Sequence, residues 1–235
     1  MLYIVPTPIG NLQDITLRAL DALKTADFIL CEDTRHTARL ADSYALKAKL
    51  VRYNENDASS IERCLNLLKE GKKCALVSDA GTPCISDPGW RLVQAARQNN
   101  IKVETLPGPS ALTCALSGAG ISGGGFSFLG FMPRKQGKIV KLISTALLLD
   151  KPVVIYESPY RIIKLLEIIE SNFGSEVKVI IARELTKTFE EWISGLASEV
   201  ILKLKERKKI LGEFVVILDG RTKEDAKENE EEDIS

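Results

Sequence analysis

Histidine is almost absent from this 235-residue chain: His36 is the only one, beside two methionines, two tryptophans and an aromatic content of 6%. A tetrahedral zinc site of mixed cysteine and histidine ligands is hard to assemble from that inventory, so no metal is expected. The five cysteines, at positions 31, 64, 74, 84 and 114, are odd in number and form no Cys-x-x-Cys pair. They read as buried, reduced thiols of a cytoplasmic protein rather than a disulfide framework. No apolar run approaches the roughly 20 residues that cross a bilayer. Met1 leads straight into a strand-like Leu2 to Val5, without a basic region, an apolar signal core or a small-residue cleavage site. A soluble protein with no export signal is expected, and no internal repeat is visible.

Net charge is also lacking, with 32 basic and 32 acidic side chains, but the balance is uneven along the chain. Residues 224–235 hold seven acids and one lysine, and the remainder holds 31 basic and 25 acidic residues. The tail is too poor in apolar side chains to fold and is expected to be disordered. The body, at +6, is compatible with a phosphate-rich partner.

With 45% hydrophobic content the chain can bury a core, and its length suits two modest domains. Short β-rich runs alternate with segments of helical period, the pattern of an α/β protein with a parallel or mostly parallel sheet. Strands are expected near Leu2 to Val5, Phe28 to Cys31, Leu50 to Tyr53, Ala75 to Ser78 and Val103 to Leu106. Between Ser59 and Glu70, Ile61, Leu65 and Leu68 recur at helical spacing and read as a core stripe. Gly118 to Gly125 is glycine-rich and suits a domain connection. A second α/β series follows, with strands expected at Phe126 to Phe131, Val153 to Tyr156, Val177 to Ala182 and Glu213 to Leu218. The expected division is 1–117, 118–220 and a tail from 221 to 235.

Three strand-to-helix loops draw attention. Pro6 to Leu12 follows the first strand, with capping residues Asp14 to Thr16 behind it; there is no GxGxxG. Ser78 to Gly89 is long and polar, and Pro88 and Gly89 are expected to open a helix. Asp79 suits an ammonium or a ribose hydroxyl, or equally the backbone of its own loop. Leu106 to Ala111 is the third, with Ser110 expected to cap a helix whose amides favour a carboxylate. Open α/β sheets bind ligands beyond the carboxyl ends of their strands, so three such loops on one sheet point to a shared crevice.

The segments PTPIGNLQDITLRAL, EDTRHT, SDAGTPCISDPGWRL, PGPSAL, GFMPRK, YESPYR, ARELTKTFEE and GEFVV occur in this order between Leu2 and Leu218. Together they resemble the ribosomal RNA small subunit methyltransferase I family, a branch of the tetrapyrrole methylase superfamily. The resemblance implies two α/β domains, the first mostly parallel and the second mixed, a homodimer, and S-adenosylmethionine in a cleft between the domains. It implies methylation of a cytidine ribose 2′-hydroxyl in the decoding region of small-subunit RNA. Carried onto this chain, it implies cofactor contacts at Pro8, Ile9, Asp79, Gly81, Pro83, Ser110 and Ala111, and further along at Tyr156, Arg183 and Glu213.

Glu32 to Thr37 separates this branch from the tetrapyrrole enzymes; it reads as an RNA-directed site or as a helix start with a capping acid and a surface arginine. His36 is the base candidate by residue type, followed by Asp33 and Glu184. Arg134 and Lys135 are candidates for phosphate contact, or a solvated basic loop. Arg35, Arg161 and Lys187 are candidates for binding phosphate or for fixing neighbouring acids. The chain departs from the family where many relatives carry histidine, holding Asn54, Asn56 and Tyr160 instead. A tetrapyrrole C-methyltransferase and a non-catalytic ribosome-assembly or nucleotide-binding module are the rival functions.

Overall fold

The computed structural model describes residues 1–121, 124–174 and 176–219. The tail expected to be disordered, 221–235, lies outside them, as do residues 122 and 123 of the glycine-rich segment. Two compact units follow one another in the chain, Met1–Ala111 and Leu112–Ser235.

The first unit alternates β1 (Leu2–Ile4), α1 (Leu17–Thr25), β2 (Phe28–Cys31), α2 (Thr34–Ser43), β3 (Lys49–Arg52), α3 (Ala58–Lys69), β4 (Cys74–Leu76), α4 (Trp90–Gln98) and β5 (Val103–Thr105). The strands lie in the order β3-β2-β4-β1-β5, and every pairing is parallel. Side chains alternate across the sheet, so neighbouring residues feed two cores. Leu2, Ile4, Leu30 and Leu76 pack with Cys64 and Leu68 of α3 and Leu92 of α4. Val5, Ile29, Cys31 and Ala75 pack with Ala19 and Leu23 of α1. Burial on both faces explains why these strands read as apolar runs rather than as alternating patterns.

Local chemistry sets the helix starts. Thr16 caps α1 by accepting from the Ala19 amide, and Asp57 caps α3 through the Ser59 amide. The expected stripe of α3 is rotated by about a residue: Ser60, Cys64 and Leu68 are its buried positions. The helix expected to open with Pro88 and Gly89 begins at Trp90 instead. Gly89 has φ +139°, outside the helical region. Cys31, Cys64 and Cys74 are buried thiols, whereas Cys84 and Cys114 are only half-buried. Burial pushes the Cys64 thiol up to about 11 and the Cys74 thiol up to about 12, which makes both poor nucleophiles.

The second unit runs α5 (Ala111–Gly118), β6 (Ser127–Phe131), α6 (Gln136–Leu147), β7 (Val153–Glu157), α7 (Ile162–Phe173), β8 (Lys178–Arg183), β9 (Glu191–Leu196), α8 (Ala197–Lys205) and β10 (Phe214–Leu218). Its sheet is mixed, in the order β6-β7-β10-β8-β9. β6 is parallel to β7, and β10 is antiparallel to both β7 and β8. One face packs Ile155, Ile181, Phe214 and Val216 against Ile143, Leu166 and Val200 of the helices. β9 was not foreseen: Glu191–Leu196 alternates weakly, and only pairing with β8 makes it a strand.

Candidate active site

Because the first sheet is wholly parallel, the carboxyl ends of β1, β4 and β5, which are neighbours, share one edge. The three loops leaving that edge are bonded to one another. The Thr7 amide donates to the Gly81 carbonyl at 2.9 Å, and the Gly81 amide returns to the Thr7 carbonyl at 3.0 Å. The buried Thr7 hydroxyl donates to the Ser78 carbonyl, and the Ser78 hydroxyl to the Gly81 carbonyl. The Thr82 hydroxyl reaches the Pro109 carbonyl at 2.9 Å, tying the second loop to the third.

Two glycines permit this closeness. Gly81 has φ +81°, and a Cβ there would stand 3.3 Å from Ile9 Cγ2 and 3.7 Å from the Pro109 carbonyl. At Gly108 a Cβ would meet the Pro6 ring at 2.7 Å. The structure therefore gathers Ile9, Gly81 and Pro83 in the buried part of the rim, with Pro8, Ser110 and Ala111 half-buried and Asp79 exposed.

The same edge receives the end of β2, and with it the start of α2. Asp33 caps that helix through the Arg35 amide and also holds the Arg35 guanidinium at 2.9 Å. The hydrogen bonds from Arg35 hold the Asp33 carboxyl well below the usual carboxylate range. Both parts of the structural alternative, a capping acid and a surface arginine, are present. One residue further on, His36 Nδ1 lies 3.8 Å from Asp79 Oδ1, with the two side chains 52% and 47% exposed. The base candidate and the acid of the second loop, 43 residues apart in sequence, are thus neighbours.

Glu55 was not anticipated. Its carboxylate accepts from the Gly89 amide at 2.5 Å and supplies the negative charge that α4, without a side-chain cap of its own, requires. The loop between carries left-handed backbone at Cys84 and Ser86, φ +70° and +61°. No short motif encodes this partnership, because Glu55 follows β3, far from the helix start that it caps.

In the second unit the ends of β6, β7 and β8 and the start of β10 share an edge, since β10 runs antiparallel. The Phe128 and Phe131 rings pack in T-shaped geometry with Tyr156, at 4.9 and 5.6 Å between centroids. Arg183 donates to the Leu211 carbonyl at 2.7 Å and faces Glu191 at 3.4 Å. Lys187 bridges Glu184 at 2.8 Å and Glu213 at 2.9 Å, and the Glu213 amide also donates to Glu184. Burial alone would raise the Glu184 carboxyl, but the Lys187 ammonium and the Glu213 amide outweigh it and hold it below its ordinary value. Arg161 is drawn inward: it pairs with the buried Glu157 at 3.0 Å and donates to the Met132 carbonyl at 2.5 Å. It brackets the loop that carries the exposed Arg134 and Lys135. Arg161 and Lys187 both fix neighbouring acids.

The first rim thus gathers three loops tied to one another, with the exposed Asp79 carboxylate beside them. The fold is that of the tetrapyrrole methylases. Solved structures with the same arrangement include the methyltransferase CobJ, with a TM-score of 0.70 and 19% identity over 92% of each chain. Diphthine synthase is another, with a TM-score of 0.71 and 15% identity over 92% of this chain and 89% of that one. The family described as Tetrapyrrole (Corrin/Porphyrin) Methylases matches residues 1–201. Proteins named ribosomal RNA small subunit methyltransferase I are much more similar in sequence. That of Hydrogenobaculum sp. (strain Y04AAS1) is 47% identical, covering 92% of this chain and 94% of that one. That of Thermotoga maritima is 46% identical, covering 94% and 98%. The chain belongs to the ribosomal RNA small subunit methyltransferase I family of tetrapyrrole methylases.

Proposed function

We propose that this protein methylates small-subunit ribosomal RNA, placing the methyl group of S-adenosylmethionine on a cytidine ribose 2′-hydroxyl in the decoding region. We further propose a cytoplasmic homodimer. The names of relatives at 46–47% identity support the RNA substrate. The observation that carries the chemistry is the approach of His36 to Asp79 at the edge where three backbone-bonded loops gather.

S-adenosylmethionine supplies, when bound, a methyl group on a positively charged sulfur. Pro8, Ile9, Gly81, Pro83, Ser110 and Ala111 are proposed to hold it, chiefly by shape and backbone. Asp79 is proposed to take its ammonium or a ribose hydroxyl. Tyr156 is a further candidate contact, as are Arg183 and Glu213. An alcohol becomes a competent nucleophile only as its proton leaves. His36 Nε2 is proposed to accept that proton, while Nδ1 faces the Asp79 carboxylate, which stabilises the imidazolium so formed. Asp33 is the weaker base candidate because its carboxylate is committed to Arg35 and to the helix start. Glu184 is committed in the same way to Lys187. Positioning the hydroxyl and the methyl group in line is worth roughly 7 to 11 kcal/mol, more than the base adds. Arg35, Arg134 and Lys135 are proposed to meet phosphates.

The test is transfer of labelled methyl from S-adenosylmethionine, with small ribosomal subunits, free small-subunit RNA and a porphyrinogen offered in parallel. Label in the RNA that maps to one alkali-resistant cytidine linkage is expected. Label in the porphyrinogen alone would make the protein a tetrapyrrole enzyme. Binding of RNA without any transfer would make it an assembly module.

A further inference from the structure

Two aromatic rings stand exposed where the second sheet meets its basic loop. Phe131, the last residue of β6, is 58% exposed although it packs edge-on against Tyr156, and Tyr160 is 92% exposed. They are held near each other. β6 and β7 are parallel neighbours with Phe131 opposite Tyr156. The turn that carries Tyr160 ends in Arg161, which donates to the carbonyl of Met132, the residue after Phe131. The chain from 131 to 149 then carries Arg134, Lys135, Lys138 and Lys141, all exposed, and no acidic residue.

Exposed rings are costly and commonplace singly, but rings flanked by cations of one sign have a specific use. Unpaired bases offer an apolar face to an aromatic ring and a phosphate to the neighbouring cation, which is how single-stranded RNA is gripped without reading a duplex. We infer that Phe131 and Tyr160 form a stacking platform for unpaired bases adjoining the methylated nucleotide, with Arg134 and Lys135 holding the intervening phosphates. This rests on the proposed RNA methylation and names how that RNA is held. Tyr160, the more exposed of the two, supplies the planar ring such a platform needs. Phe189, 73% exposed, stands outside the basic run 131–149 and is followed in the chain by Glu190 and Glu191; it is not part of the platform.

The experiment uses the full chain with Phe131→Ala, Tyr160→Ala, Phe131→Trp and Phe189→Ala variants. It measures affinity for a short unpaired cytidine-containing oligoribonucleotide and for the same sequence in a duplex, and methyl transfer to small subunits. Each ring lost to alanine should raise the dissociation constant for the unpaired strand and the KM for subunits by roughly 5- to 100-fold. Phe131→Trp should restore both, and Phe189→Ala should leave both unchanged. For Tyr160→Ala the affinity for S-adenosylmethionine and the thermal midpoint, which a merely structural role would move, should stay at parental values; Phe131→Ala, whose ring also packs on Tyr156, is read against Phe131→Trp. Removing Arg134 and Lys135 should flatten the salt dependence of binding by about 0.7 per phosphate contact.

If the parent methylates subunits and the alanine variants match it in KM and affinity, the platform is wrong while the function stands. If the parent transfers no methyl to RNA, the function itself fails. A variant that sediments as a monomer where the parent is a dimer, with unchanged affinity per chain, would assign the rings to a contact between copies.

Discussion

The two sheet edges are built by different means. At the first, backbone bonds backbone: Thr7 and Gly81 exchange backbone hydrogen bonds, Gly81 is tightly surrounded, and Gly108 leaves no space for a side chain. At the second, charge holds the loops: Arg161 on Glu157, Lys187 between Glu184 and Glu213, and Arg207 on Glu191 at 2.8 Å. A backbone-bonded edge keeps its shape through changes of salt and pH and fails when volume is added. An edge held by ions tolerates volume and fails when a charge is removed.

The sharpest way to separate the edges is through His36, whose imidazole lies beside Asp79 at the first edge. His36→Ala should lower single-turnover methyl transfer by about 100-fold or more and leave the affinity for S-adenosylmethionine within about twofold. A rate within a few-fold of the parent would remove His36 as base and leave the first edge a binding device alone.

Next in size is the buried charge of the second edge. Arg161→Met strips the partner from Glu157, whose side chain is 1% exposed, and should cost about 3 kcal/mol in urea unfolding. The double change with Glu157→Gln should recover most of it, since no uncompensated charge then remains. Failure to recover would show that the bond to Met132 matters more than the ion pair.

Adding one carbon to the first edge comes third. Gly108→Ala drives a Cβ against the Pro6 ring, which cannot rotate away, and should weaken S-adenosylmethionine binding by about tenfold in calorimetry. The stability loss should be about 1 to 2 kcal/mol. Gly108 lies outside the positive-φ region, so an equal alanine cost at Gly137, where a Cβ meets nothing within 4 Å, would rule out crowding as the cause.

The smallest effect tests the pH response. Hydrogen bonding to Arg207, aided by the charges of Arg207 and Arg183, holds the Glu191 carboxyl below its ordinary 4.5. Its folded value lies below its unfolded one, so its contribution is complete above about 4.5. That contribution disappears as pH falls through the folded value. Glu191→Gln should cost about 0.5 to 1 kcal/mol at pH 7, because the pair is partly solvated, and the gap from the parent should close towards pH 3. A gap that widens on acidification would reverse the sign of this account.

Much of this architecture was legible in the residues. The strand-to-helix alternation announced a parallel sheet because both faces of such a sheet are buried, and burial writes itself as apolar runs. The three proline- and glycine-bearing loops were visible for the same reason, since those residues mark where backbone must turn tightly. Less legible was anything that depends on a partner distant in sequence. β9 owes its existence to pairing with β8, the Glu55 carboxylate caps a helix that starts 35 residues later, and the Gly89 expected in that helix stands just outside it. Arg161 and Lys187 read as candidates for phosphate or for fixing neighbouring acids, and only the fold shows both held by acids.

By itself the sequence determined the class of fold, the two series of elements, and where the strand-to-helix loops turn tightly, because periodicity, turn residues and capping are local. Only the tertiary structure decided which groups meet: His36 with Asp79, Thr7 with Gly81, Arg161 with Glu157 and Met132. Strand order sets those meetings, and strand order is chosen by packing across the whole sheet, which no single segment records.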